Sequence, residues 1–429
     1  MTLTMKVVVV GRGVAGLGAC AQLGRLPRSL VSRVTLITGN GSNADSITNS
    51  LCTGLWSPAL RALRGLGTLD EVVSRGRYLS DSGYKVSDQP DTAHWLMRPS
   101  RGVDSRGDVS LPSLLFIKNS DLLEILQTAV TECPYATEVV NDGVIGVSSS
   151  AVTTQDGKSI KYDLLIASDG SHSTVRGLTE PRQPPVSYRG YHVFRGSVTR
   201  AIVEANFSAS SASLLSSQAW QSFGPGTRFA VVPTKTGYQW FAAVTMSSSS
   251  KVNDDCGPLG NATRTPSATE LATLTSALVQ FHEPCPALIR HTAPQALSIS
   301  PAFSSKVSAL SQKSSGKSVV YLGDANFTID PILAVGAGVA LEESVLLAAT
   351  IVQIGSDPYA VSRALETNHQ RRDRLLRLSV LSDLAQLVGH IDSSRLCRIR
   401  NWLIGILPTG ATGAALDSLI RLTAHSTMV

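Results

Sequence analysis

Val8-Val9-Val10-Gly11-Arg12-Gly13-Val14-Ala15-Gly16 stands near the head of the chain and decides its fold. Lys6 to Val10 is a short, β-branched apolar run, as a strand buried in a parallel sheet should be. Gly11 permits a tight turn, Gly13 lets backbone approach a pyrophosphate, and Gly16 lets the next helix pack on the strand. That helix is predicted from Val14 to about Leu26. Its positive N-terminal end, carrying the Val14 and Ala15 amides, points at phosphate. The stretch predicts a Rossmann-like α/β unit that cradles a dinucleotide.

Two later signatures fall at the ends of further predicted strands. Tyr162 to Ala167 runs into Asp169-Gly170, and Lys317 to Leu322 runs into Gly323-Asp324. Each is weak alone. In this order they outline a dinucleotide held at three points, which predicts flavin chemistry. The second strand, Arg33 to Thr38, ends where an acidic residue normally binds the adenosine ribose. Here the sequence reads Thr38-Gly39-Asn40. Thr38 bonds a hydroxyl less strongly than a carboxylate does.

A chain of 429 residues with 43% hydrophobic content buries large cores and has room for two or three domains. Its 38 basic and 32 acidic residues give a net charge of +6, spread without a basic run interleaved with aromatics. Nucleic acid is therefore not an expected partner, whereas anionic cofactors are compatible. The six cysteines are isolated, with no C-x-x-C pair and no histidine at ligand spacing, so neither a disulfide framework nor a metal site is expected. The first strand begins so early that no signal peptide is expected, and an intracellular, cytoplasmic protein follows. Trp402 to Pro408 is apolar but too short to span a bilayer.

Along the chain, Ser57 to Gly67 reads as a helix with Pro near its start and Gly at its end. Arg75 to Leu111 is a polar, irregular excursion, and Asn119-Ser120-Asp121 is placed to cap the next helix. From Val186 to about Met246 the pattern alternates in an aromatic-rich way that predicts an antiparallel sheet. Serine-rich stretches, among them Ser208 to Ser217, read as mobile connections. The tail from Tyr359 is mostly amphipathic helix, expected to pack on its own domain, with membrane contact through the C-terminal segment as the alternative. The expected domains are a discontinuous FAD-binding unit (1–75, 112–185 and 316–360), a substrate domain with a mixed or antiparallel sheet (76–111 and 186–315), and C-terminal helices (361–429).

With these motifs in place, the chain resembles the group A flavoprotein monooxygenases, the FAD-dependent aromatic-ring hydroxylases typified by para-hydroxybenzoate hydroxylase. The resemblance runs from residue 6 to about residue 405. Ala167-Ser-Asp-Gly-Ser-His-Ser-Thr-Val-Arg176 is similar to the family's Asp-Gly motif. Tyr188-Arg-Gly-Tyr-His-Val-Phe-Arg-Gly196 resembles the first strand of its substrate sheet, and Gly323 to Pro331 resembles the motif whose Asp bonds the flavin ribityl chain.

The resemblance implies FAD as cofactor and NAD(P)H and O2 as co-substrates. It implies oxygen delivery from a flavin C4a-hydroperoxide to an apolar or aromatic small molecule, by hydroxylation or epoxidation, with a natural-product intermediate as a family-level substrate. Gly11, Gly13, Val14, Ala15, Gly16, Thr38, Asn119, Asp169, Asp324, Gly336, Ala337 and Gly338 become the expected cofactor contacts. Arg195, Tyr191 and Pro331 become the expected catalytic set, with Arg195 stabilising an anionic oxygen. Tyr191 either contacts substrate or packs on the sheet. His172 reads as a polar turn residue. Thr38 departs from the family pattern, as do Asn119 (usually Arg), Phe327 (usually His) and Ala340 (usually Asn). Asp330-Pro331 also resembles flavin-dependent halogenases, whose Trp-x-Trp-x-Ile-Pro segment is missing here. Other flavin reactions, reduction or cyclisation, and a non-catalytic prenyl-protein escort remain the alternatives.

Overall fold

A computed structural model describes residues 4–39, 51–78, 82–86, 95–97, 114–134, 137–217, 219–246, 263–307, 317–407, 418 and 422–423. Asn40, most of the Arg75–Leu111 excursion and Ser247–Ser250 lie outside the described residues.

The valine run is the central strand, Met5–Val10, of a five-stranded parallel sheet. It pairs with Val31–Ile37 on one side and Leu164–Ala167 on the other, with Glu138–Val140 and Val319–Tyr321 at the edges. In chain order the strands lie 3-2-1-4-5, which puts the topological switch between the first and fourth. Both faces are covered, and this explains the unbroken apolar run. Val7 and Val9 pack with helices Val14–Leu23 and Asn119–Thr131, while Val8 and Val10 pack toward Val152, Tyr162 and Tyr321.

The second layer is a seven-stranded sheet. Its order is Ser298–Ser304, Ser187–Thr199, Gly237–Thr245, Thr227–Pro233, Ala219–Gly224, Ser82–Val86 and Trp95–Met97. Every pair is antiparallel except Ala219–Gly224 with Ser82–Val86, so the sheet is mixed. Ser208 to Ser217, expected as a mobile connection, is instead a capped helix, Ala209–Ser217. The Ser211 amide donates to Ser208 Oγ at 3.2 Å, and Leu214 and Leu215 pack into the core behind the sheet. Burial of two leucines outweighs a composition that by itself favours coil.

Gly336–Ile354 is the one helix among the described residues long and apolar enough to cross a membrane, and 67% of its most apolar window is buried inside the protein. Helices Pro358–Glu366, His369–Gly389 and Ser394–Gly405 follow it.

Candidate active site

The three signatures converge at the switch point. Gly11 has a φ of +111°, and a Cβ there would lie 2.3 Å from the Ser168 carbonyl oxygen. A Cβ on Gly16 would lie 1.8 Å from the Gly11 carbonyl oxygen. Only glycine fits either position. Ser168 is bound to the same corner through its amide and hydroxyl, which donate to the Val10 carbonyl at 2.9 and 2.7 Å. A Cβ on Gly13, by contrast, would meet nothing within 4 Å. Gly13 is also the N-cap of helix Val14–Leu23, which has no side-chain cap and no acid in its first turn. An uncapped helix start beside an open glycine wall fits a pyrophosphate.

Asp169 is occupied within the protein. Its carboxylate accepts from Ser173 Oγ at 2.5 Å and from the Val175 amide at 3.0 Å, so it orders the start of helix Thr174–Thr179. Arg176, in the same motif, donates to the Ser171 carbonyl at 2.6 Å and the Ala325 carbonyl at 2.8 Å. It thereby ties the second signature to the third. Thr38 sits at the end of the second strand and donates its hydroxyl to Asn141 Oδ1 at 2.7 Å. Asn119 opens its helix with Lys118 as the N-cap, so the Asn119–Asp121 cap is displaced by one residue. The Asn119 amide is held by the Leu51 carbonyl at 2.6 Å.

Around Gly323-Asp324 the structure adds residues that the sequence reading left without roles. Glu343, fully buried, accepts from the Gly323 amide, from Asn326 Nδ2 at 2.8 Å and from Arg371 Nε at 2.8 Å. Next to it, Glu342 takes two bonds from Arg374, at 2.9 and 3.1 Å. Two adjacent buried ion pairs thus join Gly336–Ile354 to His369–Gly389. The sequence signal was there: Glu342-Glu343 interrupts an apolar helix, and Arg371 and Arg374 share a face three residues apart. Desolvation, with the Glu343 charge second, pushes the Asp324 carboxyl up to about 6, while Arg176 opposes the shift. Asp324 keeps contact with solvent, which tempers that shift.

The turn Pro331–Leu333 and the start of Gly336–Ile354 form the wall facing the second sheet. Ala334 between them has a φ of +52°, a left-handed conformation that glycine adopts at less cost. The turn is held from four directions. Asp330 caps it through the Ile332 amide at 3.0 Å and accepts from Arg189 Nε at 3.0 Å and from the Tyr191 hydroxyl. Arg228 donates to the Ile332 carbonyl at 3.1 Å, and the Trp56 indole donates to the Leu333 carbonyl at 3.1 Å. Arg189 continues to Asp383 at 2.5 Å and to Gln386 on helix His369–Gly389. Burial pushes the Tyr191 phenol well above its usual range, so it acts as a neutral donor. His390 stacks on Tyr191 with ring centroids 4.5 Å apart; burial and then the Arg228 charge bring its pKa down to about 4.

Alternation now sorts the sheet's aromatic residues. Phe194, Phe229 and Trp240 enter the core on the far side. Arg195 pairs across the sheet with Phe241, and Val193 with Ala243, so these share the face of Tyr191. Gln239 is on that face too, where its side-chain oxygen accepts from the Cys52 amide. Phe223 is buried on the same face as Arg228, with which it pairs, and lies under the Arg400 guanidinium, 5.2 Å away. Arg195 donates to Ser300 Oγ at 2.6 Å and to the Val193 carbonyl at 3.3 Å. Desolvation lowers its pKa to about 10, which leaves it charged at neutral pH. His172 lies edge-on to Phe303, with centroids 5.4 Å apart, and burial lowers its pKa.

No protein-family model matches the chain. Over 99% of its length it is 25% identical to aurachin C monooxygenase/isomerase of Stigmatella aurantiaca, all of which the match covers. It is 28% identical over 188 residues to a flavin-dependent monooxygenase of Legionella longbeachae, a match spanning 41% of this chain and 42% of that protein. The fold matches that of a Klebsiella pneumoniae HpxO variant solved with FAD, with a TM-score of 0.75 at 20% identity, covering 97% of this chain and 99% of that one. A salicylate hydroxylase in a substrate complex matches with a TM-score of 0.73 at 18% identity, covering 97% and 98%. A dinucleotide corner built from three converging signatures, a second sheet laid over it, and similarity along the whole chain point the same way: the chain is similar to flavin-dependent monooxygenases and has the fold of FAD-binding hydroxylases.

Proposed function

We propose that the chain uses NAD(P)H and O2 to insert one oxygen atom into an apolar or aromatic small molecule bound between the second sheet and the Pro331–Leu333 turn. The observation that carries this reading is the shared face of Arg195, Phe241 and Tyr191, turned toward the turn that Asp330 caps. When bound, FAD supplies electron transfer from the nicotinamide and activation of oxygen. Gly11, Gly13, Val14, Ala15 and Gly16 would hold its pyrophosphate, with Thr38 and Asn119 near the adenosine and Asp324 at the ribityl chain. Asp169 would serve that site by shaping the loop rather than by direct contact. Gly336, Ala337 and Gly338, at a helix start without a side-chain cap, would meet a negatively charged flavin edge. Arg195 would hold an anionic oxygen of the substrate, and Phe241 would pack beside the ring. Pro331 and its clamped turn would exclude water from the reacting face.

The name of the full-length relative favours a second reading, in which the oxygenated product then rearranges in the same site. Both readings are tested by titrating the purified protein with FAD and following visible absorption, then measuring NAD(P)H oxidation, O2 uptake and product mass with aromatic compounds. Flavin bands with substrate-stimulated oxidation and a product heavier by one oxygen are expected; NMR of that product separates the two readings. Absence of flavin bands after FAD addition indicates a non-catalytic binder, and oxidation without an oxygenated product indicates a reductase.

A further inference from the structure

Helix Ser394–Gly405 buries only one edge. Cys397 and Arg400 point into the protein, where Cys397 Sγ donates to the Ile391 carbonyl at 3.2 Å and Arg400 to the Val388 carbonyl at 2.9 Å. Its outer side is apolar: Leu396 is 54% exposed, Ile399 52%, Trp402 62% and Leu403 50%, and Ile406 and Leu407 continue the run. Spacings of three and four residues put these side chains on one arc of the helix. The helix contains three arginines and no acidic residue, and Arg395 and Arg398, in its first half, are exposed.

We propose that this helix docks the enzyme on the surface of an anionic lipid bilayer, lying in the headgroup plane without crossing it. The reasoning uses charge and shape together. An exposed apolar arc containing a tryptophan, flanked by arginines and lacking any carboxylate, is the pattern of an interfacial helix. Twelve residues are too few to span a bilayer. Arg395 and Arg398 lie toward one end and the most apolar positions toward the other. A tilt that sinks Trp402, Leu403 and Ile406 therefore leaves both guanidinium groups at the phosphates. A second copy of the chain is the less favoured occupant, because a two-fold contact through this helix brings the same arginines together with no carboxylate on the helix to offset them. The preceding helix carries its own exposed apolar residues, with Val380, Leu384 and Leu387 at 55%, 53% and 73% exposure. The inference stands independently of the substrate.

The test uses the full chain loaded with FAD and vesicles of phosphatidylcholine alone or mixed with phosphatidylglycerol. Co-sedimentation is expected to rise with the phosphatidylglycerol fraction and to fall with salt. Arg395→Gln and Arg398→Gln are each expected to weaken binding roughly fivefold. Trp402→Asp is expected to abolish binding while leaving flavin content and turnover of a dissolved substrate unchanged, and Trp402→Phe is expected to keep binding while losing part of the blue shift in tryptophan emission that the vesicles induce. Equal binding to both vesicle types, or to neither, overturns the proposal. So does a dimer in light scattering that Trp402→Asp converts to a monomer, which would assign the surface to self-association.

Discussion

Arg371→Met removes one partner from a buried pair and leaves Glu343 charged with no guanidinium beside it. The Glu343 side chain is 0% exposed and that of Arg371 8%, so water replaces little of what is lost. The Tyr321 and Leu365 carbonyls lose a donor as well. Removing one member of a buried pair costs about 3–5 kcal/mol. An unfolding entropy of about 2.1 cal/mol/K per residue, taken over the whole chain as one unit, converts this to a fall in Tm of about 3–6 °C. Arg374→Met is the control, because it strips Glu342 of an equally buried partner with side chains 3% and 1% exposed. Glu342 has no bond to Gly323, whereas Glu343 holds the Gly323 amide directly. Both variants are therefore expected to lose similar stability in calorimetry of the apoprotein. Fluorescence titration with FAD should separate them: Arg371→Met weakens binding about tenfold or more, the worth of one charge-assisted bond, and Arg374→Met changes it less than about twofold. Equal loss of FAD affinity in both would refute the idea that Glu343 transmits order to the Asp324 loop.

Three more expectations follow from the same site. Asp324, with its carboxyl raised, is deprotonated at neutral pH and takes up a proton in the folded protein before the unfolded chain does, so its contribution to apoprotein stability falls as pH rises through the mildly acidic range. The ionised carboxylate is the better acceptor for ribityl hydroxyls, so FAD affinity should weaken as pH drops through the same range, and Asp324→Asn should flatten that dependence in a titration series. Arg195→Ala is expected to lower kcat/KM by about 100-fold with normal flavin content, and full turnover in steady-state kinetics would remove Arg195 from the site. Tyr191→Phe deletes one bond to Asp330 while leaving Arg189 and the Ile332 amide in place, so about 1 kcal/mol of stability and a rise in KM larger than the fall in kcat are expected from thermal melts and kinetics.

The sequence by itself determined the parallel sheet and its dinucleotide turn. Those features depend on local rules: a β-branched run buried on both faces, a glycine where φ is positive, and a glycine where a Cβ would strike a carbonyl. It also placed Asp324, because a strand ending in Gly-Asp is legible in one dimension. The tertiary structure alone decided which side chains meet. Phe241 and Phe223 turn to the face of Tyr191 and Arg228 while Phe194, Phe229 and Trp240 enter the core behind the sheet, since register fixes which face of a strand each side chain takes. Asp169, conspicuous in its motif, turned out to order a helix start, and Arg176 beside it joins two motifs that the chain keeps apart. Glu343 reaches Gly323 only because two ion pairs clamp distant helices, and Tyr191 meets Asp330 only because one sheet is laid against the other. Such contacts depend on how elements pack in space, and spacing along a single chain does not encode that packing locally.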